Sequence, residues 1–314
     1  MKNILIACLL LSFISCSGKN NAKIQVEHDT EVALNQEHET KPLSVSENFQ
    51  IEMIYCSDAD RVIFHDFLTY IKPFSSYQMP ELMIETARFF LNKPYVASTL
   101  EFEPEGLVVN LREFDCTTFV ETVLALSRMV KMSEQPSFED FGKQLQNIRY
   151  KRGNIGNYTD RLHYFSDWIY ENETRNHVKD ITKELGGESY RPNLSYMSAH
   201  PDSYKQIKSN PEYIEVIRKK EIEISGRDVY SFIPKEKIVS CEKEMNDGDI
   251  ISFVTDIEGL DVSHVGIFYR DKGQITFIHA STSAGKVIIN PQPLYEYIKN
   301  NKRNTGIMIV RPIS

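Results

Sequence analysis

No stretch of this 314-residue chain is apolar over enough residues to span a bilayer as a helix. The apolar run Ile4 to Ile14 falls short of the roughly 20 residues required. Positive charge is in deficit. There are 36 Lys and Arg against 44 Asp and Glu, a formal net charge of −8, and no basic cluster. That argues against a nucleic-acid partner and against polybasic docking to a membrane. Cysteine is scarce, and neither Cys-x-x-Cys nor His-x-x-x-His occurs. The close ligand pairs of a zinc site are therefore missing, and we expect no metal and no cofactor. There is one tryptophan and no internal repeat. Hydrophobic content of 41% and charged content of 25% are those of an ordinary globular chain.

The N-terminus has the layout of a secretory signal: Lys2, the apolar run, then Ser15-Cys16. Phe13-Ile14-Ser15-Cys16 resembles a bacterial lipobox with Phe for the usual Leu, which implies lipid on Cys16; plain cleavage nearby is the alternative. Residues 1–15 are thus expected to be a lipoprotein signal peptide. Polar residues 16–48, with His28 and His38, read as a flexible tether. The expected location is the bacterial cell envelope, lipid-anchored and facing the periplasm. Cys56 and Cys241 are expected to be buried free thiols, with a disulfide as the alternative.

Residues 49–314 read as a single catalytic domain with an inserted middle segment at about 135–225. Helical spacing marks runs capped at Asp58, started at Pro80, opened by Asp115 and centred on Phe138 to Ile148. The helix after Asp115 carries Phe119, Val123, Leu126 and Val130, widened by Val120 and Leu124, and should be central. After about Ile222 the period becomes that of strands: Val229–Ile233, Asp249–Val254, Val262–Arg270, Gln274–Ser281, Lys286–Asn290 and Gly306–Arg311. Helices first and a sequential antiparallel sheet afterwards give an α+β fold.

Cys116 begins that central helix, where unpaired N–H groups and the helix dipole favour thiolate over thiol. His264 and His279 lie on adjacent strands. If Asp271 to Gln274 forms a tight even-length hairpin, Gly266 faces His279 and His264 faces Ser281. Both histidines then share one face as diagonal neighbours, about 7–8 Å apart at the backbone. Such a set suits Cys116 as nucleophile, His264 as its base and His279 as the group that orients His264. The Cys116 N–H is a natural oxyanion donor. A buried core cysteine with structural histidines, or zinc on the same three residues, is the competing reading.

The motif Phe114-Asp115-Cys116-Thr117-Thr118-Phe119-Val120 resembles the Asp-Cys-Ser-Gly motif of NlpC-type cell-wall cysteine peptidases. Ser263 to Tyr269 is similar to their base strand, Ile278 to Ser281 to their third-residue strand, and Lys93-Pro94-Tyr95 to the segment with their active-site tyrosine. A narrower resemblance covers Asp60 to Arg311. Tyr95 to Glu101, Leu107 to Arg112, Arg161 to Trp168 and Gly259 to His264 look like the N-acetylmuramoyl-L-alanine amidase-like branch. The resemblance implies a papain-like α+β fold, with the catalytic cysteine's helix packed on a C-terminal antiparallel sheet. It further implies cysteine-dependent cleavage of the N-acetylmuramoyl-L-alanine amide bond in peptidoglycan fragments. The alternative is γ-D-glutamyl-diamino-acid endopeptidase activity with the same three residues. Thr117-Thr118 departs from the Ser-Gly of most NlpC-type enzymes and agrees with a different substrate register.

On that reading Tyr95, Asp115 and Thr117 are candidates for oxyanion or substrate contact. Arg161, Tyr164, Asp167, Trp168 and Ser263 are candidates for muramoyl recognition, because sugar sites pair an aromatic face with polar groups. The competing view of Arg161 to Trp168 is a helix packed on the domain through Phe165, Trp168 and Ile169.

Overall fold

The computed structural model describes residues 41–43 and 53–314. The expected signal peptide, the expected lipid site at Cys16 and nearly all of the expected tether lie outside the described residues. Among those described, no helix is long and apolar enough to cross a membrane.

Five helices precede the main sheet: α1 (Asp58–Ile71), α2 (Met79–Phe89), α3 (Cys116–Met132), α4 (Phe138–Arg149) and α5 (Phe165–Thr174). Capping decides where they begin. Ser57, not Asp58, caps α1, exchanging hydrogen bonds with Asp60, so that boundary differs by one residue from expectation. Asp115 caps α3, its carboxylate accepting from the Thr118 N–H at 2.8 Å. α3 is buried on nearly every side, between α2, α4 and the sheet. One buried charge on it is answered: Glu121 meets Arg149 of α4 at 2.7 Å.

A small sheet joins β1 (Lys41–Leu43), β2 (Ile54–Cys56) and β3 (Leu107–Val108). The main sheet uses β4 (Val178–Asp180), β5 (Glu188–Tyr190), β6 (Tyr230–Pro234), β7 (Ile250–Thr255), β8 (Val262–Asp271), β9 (Gln274–Ser281), β10 (Lys286–Ile289) and β11 (Asn304–Pro312). Its order is β10-β9-β8-β7-β11-β6-β5, with β4 also paired to β11. The sheet is antiparallel but not sequential: the last strand enters between β7 and β6.

The β8–β9 hairpin has the register expected of a two-residue turn, with Ile267 opposite Ile278 and Asp271 opposite Gln274. Lys272 and Gly273 both take positive φ, as a tight hairpin turn of matching twist requires. Strand alternation then gives the sheet two faces. Ile250, Val265, Ile267, Ile278 and Ala280 belong to the cluster that includes α3. Ile251, Phe253, Phe268 and Phe277 form a second cluster with Leu294 and Ile298 of the helix Leu294–Asn300. The middle segment gathers a third cluster around Tyr164, Met197, Ile217 and Tyr230, where the sequence suggested no core of its own. Cys56 and Cys241 are buried free thiols.

Candidate active site

Cys116 is the first residue of α3 and is 1% exposed. Its sulfur lies 3.9 Å from Thr117 Oγ1. The start of the helix is stitched to the edge of the sheet by the preceding chain. The Asn92 N–H donates to the Val287 carbonyl of β10, and the Tyr95 N–H to the Gly285 carbonyl. Tyr95 in turn bridges Phe114, and the Val96 N–H donates to the Phe114 carbonyl two residues before the thiol. The half-buried Tyr95 is therefore held beside the helix mouth.

Asp115 carries the cap, and its carboxyl is pushed up to about 7, first by desolvation and then by the charge of the neighbouring Cys116; its bonds to Thr118 oppose the shift. The residue keeps part of its surface exposed, which moderates the effect. A folded pKa raised above the usual carboxylate value stabilises the protein at low pH, and that contribution is lost as pH rises through about 7. Asp115→Asn keeps an acceptor for the Thr118 N–H and removes the charge. We expect the variant's Tm advantage over the wild type to grow from pH 4 to pH 8, and the Cys116 thiol pKa to fall. An unchanged thiol titration would refute the electrostatic coupling.

The two imidazoles meet. His264 Nε2 lies 2.6 Å from His279 Nδ1, with the rings nearly perpendicular at a centroid distance of 4.8 Å. Gly266 leaves the room: a Cβ there would stand 2.7 Å from Phe277 Cδ2 and 3.4 Å from His279 Cβ. Phe253, Phe277 and Tyr297 wall the pair on the face away from the body of α3. Tyr297 comes from a helix far along the chain, and no local pattern marked it. His279 is 2% exposed. Burial, then the adjacent His264, drives its pKa well below the ordinary value, so this ring is neutral. His264 follows a β-bulge: it pairs with Phe253, while Val262 pairs with Val254, making Ser263 the extra residue. The bulge separates Val262 from the face shared by His264, Gly266 and Phe268. The Ser263 hydroxyl reaches the Phe253 carbonyl at 3.5 Å and Asn304 Oδ1 at 3.4 Å.

Four of the expected muramoyl-binding residues, Arg161, Tyr164, Asp167 and Trp168, are buried. Trp168 is fully buried in α5 (Phe165–Thr174) and stacks on Phe165 at 4.8 Å, so its face is not offered to a sugar. Tyr164 is buried, donating to Glu221 at 2.7 Å and accepting from the Met197 N–H. Asp167 is buried against Arg227 at 2.6 Å. Arg161 is buried, forked onto Glu105 at 2.7 and 2.9 Å, and bound to the Leu100 carbonyl. These four side chains are packed or bonded within the protein. Trp168→Ala is expected to cost about 3–5 kcal/mol of stability by chemical denaturation. No specific loss of sugar binding should accompany it; a selective affinity loss at unchanged stability would restore the sugar-site role.

A cavity of about 290 Å³ lies beside the chain leading to Cys116, lined by Tyr55, Ser98, Thr99, Phe102, Asn110 and Arg112 among others. Tyr55 and Phe102 stack at 4.9 Å. Arg112 bonds to the buried Asp60 at 3.1 Å rather than to Glu113. Among the described residues, no group of three or more His, Cys, Asp or Glu side chains converges as a metal site would.

A family model described as N-acetylmuramoyl-L-alanine amidase-like matches residues 85–307. Among solved structures, an N-acetylmuramoyl-L-alanine amidase from Bacteroides uniformis shares 38% identity, with coverage of 76% of this chain and 100% of that one and a TM-score of 0.72. A Bacteroides fragilis protein, provisionally named a xylanase, shares 39% identity over 72% of this chain and 99% of its own, with a TM-score of 0.69. A Legionella pneumophila protein at 22% identity covers 82% of this chain and 94% of its own at a TM-score of 0.60, a likeness of fold. Comparison with curated proteins gives no match. Fold and relatives together define an amidase-like α+β hydrolase. The chain belongs to the N-acetylmuramoyl-L-alanine amidase-like family.

Proposed function

We propose that this protein is a thiol amidase on a papain-like, NlpC-type frame, cleaving the bond between the lactoyl group of N-acetylmuramic acid and L-Ala in peptidoglycan fragments. The observation that carries the reading is the 2.6 Å contact between a neutral, buried His279 and His264. It lies on the two strands against which α3, begun by Cys116, is packed. The body of α3 lies against the other face, so on this reading the thiol reaches His264 around the start of β8, where the strand is bulged at Ser263. His264 uses Nε2 for His279, so the nitrogen that serves the thiol is Nδ1.

The Cys116 thiolate attacks the lactoyl carbonyl carbon. The negative charge moves to oxygen, held by the Cys116 N–H and by Tyr95. The C–N bond breaks as protonated His264 gives its proton to the departing L-Ala nitrogen. Water, deprotonated by His264, then opens the thioester, releasing the muramic carboxylic acid and restoring the thiol. Peptide substituents beyond L-Ala occupy the cavity beside Arg112. Lipid on Cys16 holds the enzyme at the bacterial envelope, facing the periplasm.

A glycosidase, as the name of the Bacteroides fragilis protein suggests, would need two carboxyl groups facing across a cleft. Of the buried carboxylates, Glu105, Glu121, Asp167 and Asp249 are each bound to an arginine, Glu221 accepts from Tyr164 and the Ser198 N–H, and Asp261 accepts from the Ser166 and Val262 N–H groups; such structural engagement favours the thiol reading. Digestion of defined muropeptides with mass detection tests it. Release of the whole stem peptide beginning at L-Ala is the expected result. A fragment beginning at the third stem residue would assign the endopeptidase reaction instead, and cleavage of sugar linkages alone would end the thiol account.

A further inference from the structure

His279 is satisfied on one side only. Its Nδ1 meets His264, while its Nε2 is buried and makes no hydrogen bond of standard geometry. An unmet buried polar atom is costly, so the group facing that nitrogen matters. The β9–β10 register says which group it is. Ile288 opposes His279 and Ile289 opposes Ile278, and the Asn290 N–H donates to the Phe277 carbonyl at 2.8 Å. Asn290 therefore sits opposite Phe277, on the face of His279 and diagonal to it, within side-chain reach. Asn290 is 6% exposed, and its amide lies within polar reach of the imidazole.

The orientation of that amide is set from its other end. Nδ2 donates to the Gln292 carbonyl at 2.8 Å, and the backbone carbonyl of Asn290 accepts from Thr276 Oγ1 at 2.7 Å. An Asn turned by a carbonyl acceptor on its nitrogen presents its oxygen elsewhere. We propose that Asn290 is a positioning residue whose Oδ1 accepts the His279 Nε2–H, locking His279 in the tautomer whose Nδ1 lone pair receives the His264 Nε2–H. The polar chain then runs from the Gln292 carbonyl through Asn290 and His279 to His264. It delivers His264 with Nδ1 as the basic nitrogen, and it stabilises the imidazolium that forms when the thiol ionises.

The kinetic part of this inference rests on the proposed amidase reaction; the tautomer does not. The test is long-range ¹⁵N–¹H correlation spectroscopy on protein labelled at histidine, paired with kcat and KM on a muropeptide. In the wild type, His279 should carry its proton on Nε2. In Asn290→Leu, which keeps bulk and removes the acceptor, the two tautomers should mix. There kcat should fall about 10- to 100-fold at unchanged KM, the scale seen for groups that orient a functional histidine. Asn290→Asp restores an acceptor oxygen and should recover both the tautomer and most of kcat. A wild-type His279 protonated on Nδ1, or a tautomer indifferent to Asn290→Leu, overturns the proposal. Should Asn290→Leu fail to fold, the wild-type spectrum and Asn290→Asp decide it. A tautomer that shifts as stated in a protein that cuts no muropeptide keeps Asn290 and discards the reaction.

Discussion

Cys116→Ala should abolish amide turnover, by on the order of 10⁴-fold or more, while leaving the protein folded. The asymmetry follows from where the residue sits. As a packing element it is small: it opens a helix whose cap is made by Asp115 and Thr118 and whose body is held by larger residues. Removing one sulfur costs little of that. As a chemical element it has no substitute, because Cys56 and Cys241 are buried in other parts of the fold and burial raises both of their pKa values, Cys241 to about 11. Neither supplies a thiolate near neutral pH. The assay is muropeptide turnover beside a thermal melt. Full activity in the variant would remove the thiol from the mechanism.

Arg149→Met should cost about 3–5 kcal/mol of stability by urea denaturation. Arg149 and Glu121 are 4% and 3% exposed and bonded at 2.7 Å, and Arg149 also donates to the Val108 carbonyl at 2.7 Å. One guanidinium thus ties α4, α3 and β3 together. Its removal leaves the buried Glu121 carboxyl without its partner, five residues along the helix from Cys116, and leaves the Val108 carbonyl unmet. Glu121→Gln with Arg149→Met, which removes both charges, should recover part of the loss. If the single variant melts like the wild type, the pair is not a support of α3. Because the same helix presents the thiol, activity should fall at temperatures below global unfolding.

The sequence revealed what local rules govern. Asp115 read as the start of a central helix because a cap followed by apolar residues at helical spacing has few other solutions. The β8–β9 register was legible on the condition that Lys272-Gly273 forms a tight hairpin turn, which it does, and parity then places both imidazoles together. Non-local facts were not legible. β11 enters the middle of the sheet, where Gly306 and Ile307 pair with β6 on one side and β7 on the other, and nothing near Gly306 in the chain announces it. The bulge at Ser263 depends on the pairing with β7 rather than on its own neighbours. Arg161 to Trp168 misled because a polar-aromatic segment looks alike whether it greets a sugar or ties a subdomain. The partners that decide it, Glu105, Glu221 and Arg227, lie 56 to 60 residues away in the chain. Asn290 lay within an expected strand, but its partner on β9 becomes visible only once the β9–β10 register is known.

The rate of Cys116 alkylation by iodoacetamide as a function of pH, in the wild type and in His264→Ala, tests the link between thiol and imidazole most directly. The account predicts a wild-type inflection well below the ordinary cysteine value of about 8.5, and its return to that value or higher in His264→Ala. Superimposable profiles in the two proteins would contradict it.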